Sequence, residues 1–157
     1  MDVLFICTGN TCRSPMAAAL FSTWAGQDGP AACSAGIAAI DGMTASTEAV
    51  QAMRAAYGID LSKHRSAHLT PEMLAQAGLI ILMTPAHRDW ILARYPGFAA
   101  RVHVLTEFGP EHALGTYGIS DPFGGDLASY TAAVNQMAPH IRALLAYILS
   151  TGVWRRV

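Results

Sequence analysis

The sequence contains few charged residues and no long run of one sign. Lys, Arg, Asp and Glu make up 13% of the 157 residues, and the formal net charge is −1. Nucleic-acid binding and electrostatic attraction to a membrane surface both require clustered Lys and Arg. The sequence therefore predicts neither nucleic acid nor a membrane as a partner.

Long apolar runs are also missing. A membrane-spanning helix needs roughly 18 consecutive apolar residues, and no run here approaches that length. The apolar run from Val3 to Ile6 is preceded by Asp2 and is too short for a secretory signal. We therefore expect no membrane span and no secretory leader.

Cysteine and metal-ligand patterns are sparse as well. Three cysteines are an odd number and a poor disulfide framework, so we expect a reducing, cytoplasmic compartment. His64 and His68 are four residues apart, but no second pair of ligands follows them, so no zinc-site spacing is present. We expect no structural metal.

Hydrophobic residues, by contrast, are abundant at 52%, which is enough to fill one core in a single domain over residues 1–157. Short apolar runs alternate with segments of helical periodicity. Strands are predicted at Val3–Ile6, Ala31–Ala35, Leu79–Met83 and Val102–Leu105. Helices are predicted from Ser14, over Thr44–Tyr57, from Thr70 to near Gly78, over Pro85–Tyr95 and from Asp126 onward, with a loop-rich stretch over 109–125.

Individual residues support these boundaries. Ser14-Pro15 is typical of a helix start, with a capping hydroxyl followed by proline. The last helix has an apolar stripe of Leu127, Tyr130, Val134, Met137, Ile141, Leu144 and Ile148. Pro139 lies inside that helix without shifting the stripe, which predicts a kink and not a break. The alternation of predicted strands and helices along the chain predicts an α/β fold. In such a fold a parallel sheet is covered by helices on both faces.

The segment between the first strand and the first helix carries the chemistry. Cys7 and Arg13 enclose five residues there, at the carboxyl end of a strand, where such sheets bind ligands. Unpaired N–H groups at a helix start and in a tight loop bind phosphate. The Arg13 guanidinium can add bidentate hydrogen bonds to two phosphate oxygens. Gly9 permits a positive φ and Asn10 tolerates one. These features favour the Cys7 thiolate as a nucleophile, which predicts a phosphatase that works through a cysteinyl-phosphate.

The run VLFICTGNTCRSPMAAAL, from Val3 to Leu20, resembles the opening of the low-molecular-weight protein tyrosine phosphatase family. A second stretch, from Ser120 to Gly125, resembles that family's general-acid loop. The resemblance implies a three-layer fold with a four-stranded parallel sheet, no metal or other cofactor, and a phosphate loop formed by Thr8, Gly9, Asn10, Thr11, Cys12 and Ser14. We expect a monomer that acts on phosphorylated proteins.

The resemblance also implies roles around the loop. Asp121 is expected to protonate the leaving group and later to activate water, while Asp126 fits a helix cap better. Ser14 is expected to donate a hydrogen bond to the Cys7 thiolate, beside its cap role. Asn10, Ser34 and His64 match a network that supports the loop; no other histidine, His87 included, has comparable support.

The sequence leaves two interpretations open for Cys12 and predicts one for Cys33. The resemblance implies a reversible disulfide between Cys7 and Cys12, whereas Cys12 as a small packing residue is the alternative. Cys33 lies on a predicted strand, so we expect it to be an inert core residue.

Two features bear on the substrate. The run CTGNTCRSPMA and the loop DPFGG resemble the protein arginine phosphatase subgroup, and no aromatic residue lies in Ile37–Met43. A phosphoarginine head has several N–H donors; Thr11 and Asp121 supply acceptors, and Phe123 can cover the head. The alternative is that Thr11 is a tolerated variant in an enzyme acting on phosphotyrosine or aryl phosphates.

Two other classes compete with a phosphatase. Arsenate reductases share this fold and loop, but they relay electrons through further cysteines, and none follows Cys33. A non-catalytic phosphate-sensing module needs Arg13 but neither Cys7 nor Asp121. The presence of a nucleophile and an acid therefore favours the enzyme.

Overall fold

The computed structural model describes residues 1–109 and 117–152. Its strands are β1 (Val3–Cys7), β2 (Ala32–Gly36), β3 (Leu79–Leu82) and β4 (Val102–Val104). Its α-helices are α1 (Arg13–Ala25), α2 (Thr47–Tyr57), α3 (Pro71–Gln76), α4 (Pro85–Arg94) and α5 (Leu127–Thr151), with 3-10 turns at Pro96–Arg101 and Leu105–Glu107. The predicted strands and helices are all present. Within the predicted loop over 109–125, residues 110–116 lie outside the described part.

The four strands form one parallel sheet in the order β2-β1-β3-β4, which confirms the predicted α/β class. Ile6 of β1 pairs with Leu82 of β3, and Cys7 pairs with Gly36 of β2. The chain leaves β1 toward one side and returns to the other side for β3, so the order reverses beside β1. A ligand site is expected at such a reversal, at the carboxyl ends of the strands, and Cys7 lies there.

Helices cover both faces of the sheet, because alternate residues of each central strand point to opposite sides. Phe5 of β1 packs into a core shared with α1, α2 and α5, whereas Ile6 packs into a second core with α3 and α4. Every residue of β1 and β3 is buried. The continuous apolar runs in the sequence therefore reflect strands buried on both faces, and the predicted three layers are confirmed.

Three predicted details are wrong. Helix α2 begins at Thr47 and not at Thr44, because the backbone N–H and the hydroxyl of Ser46 both bond to the carbonyl of Thr11, each at 3.0 Å. Strand β4 ends before Leu105, which starts a 3-10 turn. Leu127 is 42% exposed and does not belong to the buried stripe, since it is the first residue of α5.

Helix α5 runs without a break through Pro139, as the sequence predicts. Proline cannot donate to the carbonyl four residues earlier, here that of Asn135. Both Asn135 and Pro139 are exposed, so water can satisfy the freed carbonyl. Among the helices of the described residues, none combines the length and apolar composition needed to cross a membrane.

Candidate active site

The segment that joins β1 to α1 forms a tight loop whose key side chains are buried. Relative exposure is 3% for Cys7, 0% for Asn10, 4% for Arg13 and 0% for Ser14. A buried arginine requires a partner or a ligand, because burying an unpaired charge is costly. The loop is therefore a closed cradle with a cation in its wall.

The outer side of the loop is held by donors from the surrounding scaffold. Its carbonyl groups accept hydrogen bonds as follows: Cys7 from the Ile37 N–H (3.0 Å), Thr8 from the Ala38 N–H (2.9 Å), Asn10 from His64 Nε2 (2.8 Å) and Thr11 from the Ser46 N–H (3.0 Å). On the inner side of the loop, the Asn10 N–H points to Cys7 Sγ at 3.3 Å. This arrangement is an anion-binding nest around the sulfur.

Asn10 organises the loop through both its backbone and its side chain. Its φ is 55°, in the left-handed region. Its amide donates to Ser14 Oγ at 2.8 Å and to Ser34 Oγ at 2.9 Å, and it accepts from the Ala67 N–H at 2.9 Å. The predicted grouping of Asn10 with Ser34 is thus present. The positive φ of the loop lies at Asn10, which the sequence identified as tolerant of one, and not at Gly9.

Gly36 has a steric role that the sequence reasoning missed. A Cβ at this position would lie 2.5 Å from the Thr8 carbonyl oxygen and 2.9 Å from the Asn10 nitrogen. Both are backbone atoms of the phosphate loop, so the loop can lie against β2 only because residue 36 has no side chain. The signal was available, since this glycine ends the strand next to β1.

Ser14 lies against the sulfur of Cys7, with 2.9 Å between Oγ and Sγ. The predicted cap role of Ser14 is wrong: α1 begins at Arg13 with Cys12 as its N-cap, and no side chain caps it. The hydroxyl is occupied by Cys7, Asn10 and the Ala35 carbonyl (3.4 Å). A hydroxyl beside the sulfur can stabilise a thiolate by hydrogen bonding.

Arg13 connects the phosphate loop to the segment around Asp121. Nη1 donates to the Ile119 carbonyl at 3.1 Å, and Nη2 lies 3.2 Å from Asp121 Oδ2. The Asp121 side chain is 54% exposed, while that of Arg13 is 5% exposed. The second oxygen, Oδ1, accepts from the Phe123 N–H at 3.1 Å. The carboxylate therefore sits at the mouth of the cradle, over the guanidinium.

A cavity of about 170 Å³ lies between these groups. It is lined by Cys7, Thr8, Gly9, Thr11, Cys12, Arg13, Asp121 and Phe123. The sequence predicted that Asp121, more than a hundred residues after Cys7, would face the same pocket, and the structure brings the two together. Nucleophile, cation and carboxylate around one cavity suit phosphoryl transfer.

Two anchors place the Asp121 segment. The Ile119 N–H donates to the Met83 carbonyl at 2.7 Å, which ties the segment to the end of β3. Gln136 of α5 accepts from the Ser120 N–H at 3.1 Å and donates to the Gly118 carbonyl at 3.4 Å. The sequence reasoning missed Gln136, and only its place on the polar side of the α5 stripe hinted at it.

His64 supports the loop from outside. Its burial lowers its pKa, an effect that the hydrogen bond to the Asn10 carbonyl partly opposes. Nε2 must carry a proton to donate to that carbonyl, so the tautomer is set by the contact. The predicted grouping of Asn10, Ser34 and His64 is present in the structure.

Cys12 and Cys33 occupy different surroundings. Both are free thiols, as is Cys7. The sulfur of Cys12 is buried between Ser46 Oγ (3.1 Å) and Tyr130 Oη (3.3 Å); burial and this contact raise the pKa of Tyr130 to about 12. The prediction that Cys33 is a core residue is wrong: it is exposed, because β2 is an edge strand and its side chain lines an open groove beside His64.

The predicted specificity residues lie at the cavity. Thr11 and Phe123 both line it, and the Phe123 ring is 75% exposed. On the segment after β2, Ile40 is 72% exposed and Met43 is 51% exposed. The mouth of the cavity therefore has one aromatic ring from the Asp121 side.

In the described part of the chain no cluster of three metal-ligating side chains occurs.

His87 is a third residue that the sequence reasoning missed. It is 5% exposed, and its Nε2 lies 2.9 Å from Thr8 Oγ1. Burial, reinforced by the positive charge of Arg13 and opposed by Asp121, lowers the pKa of His87 to about 4. A signal existed, since His87 is in the first turn of the helix after β3, the strand that neighbours β1.

Comparison with known proteins identifies related chains along nearly the whole sequence. The family model described as low molecular weight phosphotyrosine protein phosphatase matches residues 2–152. A protein-arginine-phosphatase of Geobacillus stearothermophilus is 40% identical over 136 residues, 86% of this chain and 87% of that protein. A low molecular weight protein-tyrosine-phosphatase, Ptp, of Acinetobacter johnsonii is 37% identical over 131 residues, 82% of this chain and 84% of that protein.

Solved structures give the same result for the fold. A structure described as YwlE arginine phosphatase, a cysteine-to-serine mutant with a phosphorylated active-site serine, superposes with a TM-score of 0.85. It is 33% identical and covers 95% of this chain and 96% of its own. Relatives named for arginine and for tyrosine thus match this chain at similar identity.

Proposed function

The chain belongs to the low molecular weight phosphotyrosine protein phosphatase family, and we propose that it hydrolyses phosphoarginine in proteins through a phosphate held covalently on Cys7. The observation that carries the arginine preference is the Thr11 side chain in the wall of the cavity, together with a 37–43 segment that lacks an aromatic residue. The related structure with phosphate on a serine in place of cysteine supports the covalent route.

The first step is the transfer of the phosphoryl group to sulfur. The Cys7 thiolate attacks phosphorus, the S–P bond forms and the P–N bond to the guanidine breaks. Asp121 gives its proton to the departing nitrogen, whose conjugate acid has a pKa above ~12, against about 10 for a phenol. Inward N–H groups and Arg13 stabilise the charge on the equatorial oxygens.

The second step returns the enzyme to its starting state. Asp121, now a carboxylate, takes a proton from water, and the water oxygen attacks phosphorus. The S–P bond breaks, the Cys7 thiolate leaves with the Ser14 hydroxyl 2.9 Å away, and inorganic phosphate is released. After phosphate leaves, Asp121 releases that proton to solvent and its carboxylate bonds to Arg13. An arriving phosphate displaces the carboxylate from the guanidinium, and the freed carboxylate takes up a proton from solvent, which it then gives to the leaving group.

The preference for arginine rests on satisfied hydrogen bonds. A phosphoarginine head brings several N–H donors into the cavity. Leaving one unpaired costs on the order of 1–3 kcal/mol, and the Thr11 hydroxyl supplies an acceptor that an aliphatic residue does not. The exposed Phe123 ring at the mouth can stack on the planar head.

The test compares rates on two peptides of one sequence, one with phosphoarginine and one with phosphotyrosine. The wild type is expected to prefer phosphoarginine. Thr11→Ile should lower kcat/KM for phosphoarginine about tenfold and raise it for phosphotyrosine, while Thr11→Ser, which keeps the hydroxyl, should stay near the wild type. A wild type that prefers phosphotyrosine, or a Thr11→Ile variant that changes neither rate, would refute the arginine assignment.

A further inference from the structure

His87 is the buried histidine that touches the phosphate loop from the α4 side. Its Nε2 lies 2.9 Å from the hydroxyl of Thr8, the residue that follows Cys7 and lines the cavity. The two residues are 79 positions apart in the chain. The contact therefore links the phosphate loop to helix α4, which has no other part in the chemistry described above.

Thr8 is held on two sides. Its carbonyl accepts from the Ala38 N–H at 2.9 Å, on the β2 side, and its hydroxyl contacts His87 on the α4 side. Ala38 acts through the backbone, so any residue there can make that bond. The bond on the α4 side, by contrast, depends on the imidazole.

The position of the His87 ring leaves one of its two nitrogen atoms without a hydrogen-bond partner among the described residues. The backbone N–H of His87 donates to Thr84 Oγ1 at 3.2 Å, which fixes the residue in the first turn of α4. Nδ1 is buried and has no hydrogen-bond partner among the described residues. An apolar side chain at this position would leave no buried nitrogen without a hydrogen bond. What histidine offers in exchange is the contact between Nε2 and the Thr8 hydroxyl.

We propose that His87 is a positioning residue. Its neutral imidazole orients Thr8 and thereby the first N–H groups of the phosphate loop. The proposal rests on phosphatase chemistry at Cys7 but not on the preference for arginine. A doubly protonated ring would add a charge beside Arg13 and leave a buried N–H without an acceptor. The neutral ring avoids both costs.

The test is a double-mutant cycle on His87 and Thr8, measured as kcat/KM on p-nitrophenyl phosphate and as inhibition by inorganic phosphate. His87→Phe and Thr8→Val each remove the contact, and each is expected to lower kcat/KM about tenfold and weaken phosphate inhibition in parallel. The double variant should lose no more than either single one. His87→Gln, which can reach the hydroxyl, should stay within about twofold of the wild type.

His103→Gln serves as the matched control, because its ring bonds to Glu107 and not to the loop. Additive losses in the double variant, no loss in Thr8→Val, or a His87→Gln variant as impaired as His87→Phe would overturn the proposal. If His87→Phe does not fold, His87→Gln and Thr8→Val decide between the same outcomes. A Cys7→Ser variant that still turns over substrate refutes the proposed function instead, and phosphate binding by the His87 and Thr8 variants still tests the positioning.

Discussion

At the scale of the residue, Asp121 is placed to exchange partners during the reaction. Its carboxylate bonds to Arg13, the cation expected to hold the phosphate, and its exposure of 54% leaves it free to move. Asp126, the nearby carboxylate, instead accepts from the Ser129 N–H at 2.9 Å and caps α5, as the sequence predicts. The two acidic residues thus have separate partners in the structure.

Asp121→Asn is expected to lower kcat by about 10²–10⁴, the usual contribution of a general acid. Inorganic phosphate should inhibit this variant at least as well as the wild type, because a negative charge has been removed from beside Arg13. Steady-state kinetics with phosphate as the inhibitor measure both effects. Asp126→Asn is the control: asparagine also caps helices, so its kcat should not change, and an equal loss in both variants would argue against Asp121 as the acid.

His87 makes folding stability depend on pH in a defined window. Burial and Arg13 lower its pKa from 6.5 to about 4 in the folded protein. The unfolded chain therefore binds more protons than the folded one between these values, so stability is complete above about pH 6.5 and is lost as the pH falls toward 4. The loss attributable to His87 over this window is about 3 kcal/mol.

Urea unfolding at several pH values between 4 and 7 measures this effect. His87→Gln should flatten the dependence of the unfolding free energy on pH, although the lowered pKa of His64 leaves a remaining slope in the same direction. Identical slopes in the two proteins would mean that the ring is not held neutral by its surroundings. His103→Gln provides the comparison with a partly exposed histidine.

At the scale of the element, α5 positions the Asp121 segment through one side chain. Gln136 contacts the backbone of both Gly118 and Ser120, just before the aspartate. Gln136→Met removes both bonds at similar volume and should lower kcat about three- to tenfold with little change in KM, because the carboxyl loses its position while the phosphate cradle is intact.

Asn135→Ala is the control for that change, because this neighbour on α5 accepts from Tyr57 Oη at 2.9 Å, on the α2 side. Steady-state kinetics of the two variants give the comparison. Equal losses in both, or a Gln136→Met variant whose KM alone rises, would mean that Gln136 does not act through Asp121.

Elements that are defined by local residues were predictable from the sequence. Gly58 ends α2 in the left-handed region, Thr70 caps α3, and the apolar runs of β1 and β3 are buried. The start of α2 was not, because it depends on a bond from Ser46 to Thr11, 35 residues away. Local patterns cannot contain contacts between distant segments.

The same distinction applies to the site. Cys7 and Arg13 were recognisable because the phosphate loop is a continuous stretch with a characteristic spacing, whereas Asp121 was recognised through resemblance to a known loop. His87 acts through a contact across 79 positions and Gln136 through contacts across 16 and 18 positions, and neither has a neighbouring motif. Cys33 was assigned to the core because the sequence does not say which strand forms an edge.

At the scale of the whole molecule, the sheet order brings four segments to one edge. The residues after β1 form the phosphate loop, those after β2 bond to its carbonyls, the end of β3 anchors the Asp121 segment, and α4 supplies His87. Two apolar cores hold the sheet rigid from both faces. A site formed at the ends of several buried strands can keep the positions that catalysis needs.

The central claim is that the phosphoryl group passes through the sulfur of Cys7. Rapid acid quenching of the Asp121→Asn variant with p-nitrophenyl phosphate, followed by intact mass and peptide mapping, measures this directly. The nitrophenolate can leave without a proton from Asp121, whereas the attacking water still needs Asp121 as a base, so the intermediate accumulates. The expected result is one added phosphoryl group, located on Cys7 and absent from Cys7→Ala. A quenched enzyme that carries no phosphate while it turns over substrate, or a phosphate on another residue, would contradict the account.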